Sequence, residues 1–320
     1  MKKFLKENLK QIIILALLII SVSIELPYYI EAPGGTINIT KRIDKKYNRK
    51  NGSLNMLYVT EYRGNIVTVL LSKVIKSWDL NEISNQQVSN ETSEDIYIRN
   101  KVMLENSINN ATFVAYKEAG KNITIKSKEN IVIATTKDNG FSIGDIILTI
   151  DDKEVEDIQT IKKYLATLKK DDEVTIKIKR DNKEKQLTVT LDEDKILGIM
   201  MITNYKYDTD EKLDIAFKSG EGGSSGGLIL ALGIYSKITG KDLLKGRNIA
   251  GTGTIDINGN VGEIDGVKYK IAGAVRNKMD IVLVSPYNYD EAIKVVKENN
   301  YKIKIIKVNT FKEAVDYLSK

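Results

Sequence analysis

The chain contains neither histidine nor cysteine. Their absence excludes a His-assisted nucleophile, a thiol nucleophile, zinc sites built from imidazole or thiolate, and any disulfide framework. An activated nucleophile must therefore be a serine, threonine, lysine or carboxylate. Lack of cysteine also suits an oxidising, extracytoplasmic setting without requiring one. The formal charge of +6 comes from scattered Lys and Arg. No basic cluster is interleaved with aromatics, so nucleic acid is not an expected partner. A length of 320 residues leaves room for two modest domains.

The N-terminus opens with Lys2, Lys3, Lys6 and Lys10, followed by the uncharged run "IIILALLIISVSI", Ile12 to Ile24. That run is shorter than the roughly 20 residues of an ordinary spanning helix. A helix starting near Phe4, with snorkelling lysines and with Tyr28 and Tyr29 as an interfacial belt, would make up the difference. The pattern predicts a cytoplasmic basic flank over 1–10 and a transmembrane anchor over 11–30. The basic flank puts the N-terminus inside the cell and the body outside, a single-pass protein of the cell membrane. Ser21 and Ser23 also fit the small-residue spacing of a cleaved secretory signal, which stands as the alternative.

Residues 31–120 read as extracytoplasmic strands and a helix. "EAPGGTINI" is a turn and a strand, and "SLNMLYVTEYRGNIVTVLLSKVI" is two strands joined through "EYRGN". Ser93 to Ala119 is largely helical. Residues 121–194 form a compact unit with the strand "NIVIATT", the amphipathic helix "DIQTIKKYLATL" and a closing hairpin. In that hairpin Val174, Ile176 and Ile178 alternate with Thr175 and Lys177. The string "SIGDIILTIDDKEVEDIQTIKKYL" resembles a PDZ domain, which implies peptide capture by strand addition. No "GLGF"-type carboxylate-binding loop lies between Ile131 and Gly144, so the resemblance leaves peptide capture or a supporting role open.

Residues 195–320 read as α/β. "KLDIAF" and "DIVLVSP" are predicted strands, and "LILALGIYSKI", "VKYKIAGAVRNK", "DEAIKVVKENN" and "TFKEAVDYL" are predicted helices. Asp256 and Glu263 do not make a glycosidase pair, and no acid spacing suggests a metal cluster.

The stretch "EGGSSGGLIL" lacks the Lys-Ser/Thr of a P-loop, so no nucleotide or other cofactor is expected. Its glycines allow a sharp turn with Ser225 at the first turn of a helix, where unpaired amides can face a developing oxyanion. A serine in a chain without histidine needs another base. Lysine can serve if burial lowers its pKa from about 10.4. Lys268 follows Gly266 at the head of a helix whose Val267, Ile271 and Val275 share one stripe, while Lys270 is expected to face solvent. Glu221 is expected to be a solvated loop acid. On residues alone, a Gly-Ser turn and a snorkelling lysine are equally ordinary readings.

Three strings in order, "GSSGGLILALGIY", "GTGTIDINGNVGEIDGVKYKIAGA" and "DIVLVSP", resemble the Lon-family proteolytic domain. The whole arrangement resembles the membrane-anchored bacterial PDZ-Lon type, which has no ATPase. The resemblance implies an α+β protein: an N-terminal membrane helix, a small PDZ-like β/α domain and a C-terminal Lon-type α/β proteolytic domain. It makes Ser225 the nucleophile, within Gly223-Ser224-Ser225-Gly226-Gly227 where the family has Gly-Pro-Ser-Ala-Gly. Gly223, Ser224 and Gly226 then shape the nucleophile turn. Lys268 becomes the general base, and Thr252 the residue that helps hold it. The implied activity is an ATP-independent serine endopeptidase acting through an acyl-enzyme on unfolded or flexible, membrane-near polypeptides. The implied partners are polypeptide substrates, the membrane, and further copies of the chain in a ring, with a hexamer as one form. A catalytically inactive Lon-like scaffold binding peptides or membrane partners is the alternative, and a small-molecule esterase or amidase a third reading.

Overall fold

The computed structural model describes residues 8–43, 52–82, 91–211 and 213–320. Most of the expected basic flank, with Lys2, Lys3 and Lys6, lies outside them. The first helix, α1 (Leu9–Ser23), has 15 residues and buries none of them. At 1.5 Å per residue it is about 22 Å long, short of a hydrocarbon core of about 30 Å. Among the described residues no helix is long and apolar enough to cross a membrane. The expected anchor over 11–30, with its membrane partner and single-pass localisation, is thereby corrected. The reason is local. Ile24 leaves the helix with φ −81° and ψ 109°, and the chain continues as strand β1 (Glu25–Asn38). Of Tyr28 and Tyr29, placed by the sequence at a membrane interface, Tyr28 is half-buried and Tyr29 is buried with Ile30 in a sheet.

After the one-turn helix α2 (Thr40–Ile43), strand β2 (Ser53–Asn65) pairs antiparallel with β1, with a register shift at Pro33/Thr36 where Gly34 and Gly35 sit. The stretch after Asn65, predicted as a strand, is the helix α3 (Ile66–Ser72). A reciprocal cap decides it: the Asn65 side chain accepts from the Thr68 amide at 2.9 Å, and Thr68 Oγ1 accepts from the Asn65 amide at 2.8 Å. Strand β3 (Asp79–Glu82) adds to the outer edge of β1.

The long helix α4 (Ser93–Glu118), capped by Thr92 and Asp95, leads into an antiparallel sheet. Its strands are β4 (Ile123–Thr135), β5 (Ile146–Ile150), β6 (Lys153–Glu154), β7 (Glu173–Arg180), β8 (Lys183–Thr190) and β9 (Ile199–Thr209). The order is β8-β7-β5-β4-β9, with β6 on β5. Val174, Ile176 and Ile178 are fully buried against Ile161 and Leu165 of helix α5 (Ile158–Ala166). The alternation read from the sequence is the one that packs.

The remainder supplies α6 (Gly227–Thr239), β10 (Asn248–Gly251), the two-residue strands β11 (Thr254–Ile255) and β12 (Val261–Gly262), α7 (Val267–Arg276), β13 (Ile281–Val284), α8 (Tyr289–Glu298), β14 (Lys304–Lys307) and α9 (Phe311–Ser319). Residues 213–217 of the expected strand "KLDIAF" carry no regular structure. The main sheet runs β14-β13-β10-β2-β1-β3, parallel from β14 to β2. The two N-terminal strands thus complete the sheet of the C-terminal block. Leu54, Met56, Ile249 and Leu283 face one layer with α4, α6 and α9. Leu57, Ala250, Val282 and Val284 face the other, with α7 and α8. This alternation across a double-faced sheet makes an α+β protein in which α6 is almost wholly interior.

Candidate active site

The glycine-rich stretch forms a fixed turn. Gly223 takes φ +87°, a left-handed value that favours glycine, and its amide donates to the Asn100 carbonyl of α4 at 2.9 Å. The Ser224 carbonyl accepts from Ser107 Oγ at 3.3 Å. The Ser225 carbonyl accepts from the Gly253 amide at 2.8 Å and from Thr252 Oγ1 at 3.1 Å. Leu228 returns a bond to the Gly253 carbonyl at 3.1 Å. Three segments therefore clamp the turn, from α4, from the β10–β11 connection and from α6 itself. Ser225 is half-buried one residue before Gly226, the N-cap of α6. Among the described residues the Ser225 and Gly226 amides donate to no backbone carbonyl. They lie at the positive end of the α6 dipole, where a developing oxyanion would be stabilised.

Glycine at 226 has a steric cause. A Cβ built there overlaps Met56 Sδ and comes within 2.7 Å of Met56 Cγ. The alanine that the family resemblance puts at this position has no room while Met56 stays where it is.

The two lysines of α7 lie on different faces. The side chain of Lys268 is 47% exposed and forms an ion pair with Asp79 of β3; Tyr269 Oη also donates to Asp79. Burial pushes the Asp79 carboxyl up, but the Lys268 and Tyr269 hydrogen bonds outweigh it and hold the group below its ordinary value. Lys270 is 4% exposed, and its Nζ donates to the Asp265 carbonyl at 2.8 Å. Burial pulls its amine down to about 8, against the opposing pull of the Asp265 carboxylate. The expected orientations are reversed: Lys268 faces outward and Lys270 inward. Helical geometry gives the reason. At about 100° per residue, Lys270 lies about 60° from Val267 and about 40° from Ala274 on the same flank, whereas Lys268 lies about 100° from Val267 on the other. Val267, Ile271 and Ala274 are buried, so Lys270 goes in with them. The detectable signal was the i, i+3 relation of Lys270 to Val267.

Thr252 is buried, with its amide on the Leu283 carbonyl at 3.0 Å. Its hydroxyl meets the Ser225 carbonyl, so the structure joins Thr252 to the Ser225 turn; its hydroxyl bonds to neither lysine. Glu221 pairs with Arg42 of α2 at 2.6 Å and accepts from the Lys218 amide at 2.8 Å, a structural tie across the loop. Two residues beyond Thr252, an open cleft of about 470 Å³ is lined by Thr254, Gly262, Pro286 and Tyr287 among others. Among the described residues no group of acids could hold a metal ion.

Comparison with known proteins assigns these segments. Residues 203–319 match the Lon protease (S16) C-terminal proteolytic domain, and residues 115–191 match the PDZ domain. The Lon protease of Neorickettsia sennetsu is 34% identical over 95 residues, covering 30% of this chain and 11% of that protein. The Lon protease of Mesomycoplasma hyopneumoniae is 32% identical over 98 residues, covering 31% and 11%. The matched stretch thus spans about a tenth of the length of these curated relatives. Among solved structures, the PDZ domain of an SdrC-like protein from Listeria monocytogenes aligns at 23% identity, covering 25% of this chain and 93% of that one, with a TM-score of 0.23. The C-terminal part of the chain therefore carries a Lon-type serine-endopeptidase domain. Ahead of it in sequence stands a PDZ domain.

Proposed function

We propose that the protein hydrolyses unfolded or flexible polypeptides without ATP, with Ser225 as nucleophile and Lys270 as general base. The observation that carries this reading is the burial of Lys270, since desolvation lowers a lysine's pKa toward neutral and lets it act as a base. An exposed Lys268 paired with Asp79 has no such property. By itself that ion pair would favour the scaffold reading, but the buried neighbour two residues on removes the need for Lys268.

In the proposed cycle, neutral Lys270 takes the proton from Ser225 Oγ as the oxygen attacks the peptide carbonyl. The Ser225 and Gly226 amides donate hydrogen bonds to the growing oxyanion. Lys270 then gives the proton to the leaving amine, which breaks the peptide bond and leaves the acyl-serine. A water deprotonated by the same amine attacks the acyl-serine, and the proton returns to Ser225 Oγ as the acid product leaves. Thr252 steadies the nucleophile through the Ser225 carbonyl. The PDZ domain would serve extended chains by strand addition.

The test is release of fluorescent peptides from labelled, unfolded casein by the full chain without nucleotide, beside a folded Ser225→Ala variant. Turnover by the parent and silence of the variant support the proposal. A folded parent that binds casein and never cuts it would establish the scaffold reading instead.

A further inference from the structure

We propose that Met56 is a positioning residue for the nucleophile turn, and that it and Gly226 form one steric unit that sets where Ser225 Oγ stands; this rests on the reading of Ser225 as nucleophile. Met56 belongs to β2, opposite Gly251 of β10 and Ile37 of β1. It lies well before residues 203–319, the segment matched to the proteolytic domain. Met56 is 8% exposed, and it belongs to the cluster that includes Leu228 and Ile255. Within that cluster the thioether occupies the space that a Cβ on residue 226 would need.

The next residue of the turn is crowded as well. A Cβ on Gly227 would come within 2.9 Å of Ile255 and 3.1 Å of Ser107 Oγ, and the Ser225 carbonyl is held by Gly253 and Thr252. The turn cannot move away from Met56 without breaking those bonds. Interiors this tightly filled transmit added or missing volume to their neighbours. Removing the thioether alone leaves a void under Gly226; adding a methyl at 226 alone drives the turn against sulfur. Making both changes together restores contact. The catalytic turn of this chain is thus completed by a strand from the N-terminal segment.

The experiment is a four-member cycle on the full chain: parent, Met56→Ala, Gly226→Ala, and the double variant. Each is assayed on labelled unfolded casein well below its own melting temperature, with active serines counted by a fluorophosphonate probe. Each single change is expected to lower kcat by about tenfold or more with KM within about threefold, and the double variant to return within about threefold of the parent. Melting temperatures measured in parallel separate positioning from folding: the kcat losses persist per folded molecule. Should Gly226→Ala fail to fold, Met56→Leu, which keeps volume but moves the tip, still carries the test through the same selective loss of kcat. Parental kcat in Gly226→Ala or in Met56→Leu, or a double variant no faster than the slower single one, overturns the proposal. If the parent itself neither cuts casein nor takes up the probe, the nucleophile reading fails first, and the cycle registers that separately.

Discussion

Replacing Lys270 by methionine separates what the residue does for catalysis from what it does to stability. In the folded chain burial takes the amine from an ordinary value of 10.5 to about 8, and that difference corresponds to about 3 kcal/mol. The sign follows from proton counting. Between pH 8 and 10.5 the unfolded chain holds a proton on this lysine that the folded chain has released, so stability rises with pH across that window. Below about pH 8 the amine is charged in both states and the burial cost is fully present. Methionine fills a similar volume without the charge, although the bond to the Asp265 carbonyl, worth about 1 kcal/mol, is lost. Lys270→Met is therefore expected to be more stable than the parent by about 1 to 3 kcal/mol at pH 6.5, and the advantage should fade by about pH 10.5. Peptide hydrolysis should be abolished at every pH. Urea unfolding of both proteins at several pH values, beside the casein assay, reads both effects. A variant less stable than the parent at pH 6.5, or a difference that does not change with pH, would refute the assignment of a strained buried amine.

Further outcomes follow from the same contacts. Thr252→Val removes the donor to the Ser225 carbonyl at 3.1 Å but leaves the Gly253 amide in place. Stability should change by about 1 kcal/mol or less while kcat falls about tenfold at similar KM. Gly233→Ala puts a methyl 2.6 Å from Ile43 Cδ1 and 2.8 Å from Ile39 Cγ2, so chemical denaturation should show a loss of about 1 to 3 kcal/mol despite alanine's better helix propensity. Asp79→Asn breaks a half-exposed pair and should cost under about 1 kcal/mol at pH 7. Because the Asp79 carboxyl is held low, its contribution is present above the ordinary carboxylate pKa and lost as pH falls through the lowered value, so parent and variant should converge in acid.

The PDZ segment was most legible at β7, where alternation is clean and one face is buried; Val174, Ile176 and Ile178 read correctly from spacing alone. The Ser225 turn was also readable, since left-handed backbone and close approach both call for glycine. Misreadings came where a local signal competed with a nonlocal one. "NIVTVLL" has the β-branched content of a strand, but the Asn65–Thr68 cap starts a helix there. The apolar run from Ile12 suggested an anchor, yet the chain turns into β1 because Tyr29 and Ile30 find partners in β2 and β3, far along the sequence. The participation of β1 and β2 in the sheet of the C-terminal block depends on parallel pairing of Ser53 with Asn248, and no periodicity encodes such a pairing. Lys268 was favoured on the family resemblance, where the lysine follows a Gly and an apolar residue, and its burial was expected from a stripe through Val275. Val275 is only half-buried, while Ala274 is fully buried, and that rotation of the helix face brings Lys270 inward.

The most direct test of the central claim compares casein turnover by Lys268→Ala and Lys270→Ala in the full chain, both shown to be folded. Lys268→Ala is expected to keep most of the parental kcat, because it loses only a surface pair with Asp79, whereas Lys270→Ala is expected to be silent. Persisting turnover in Lys270→Ala, with loss in Lys268→Ala, would contradict the buried-base account and return the role to the exposed lysine.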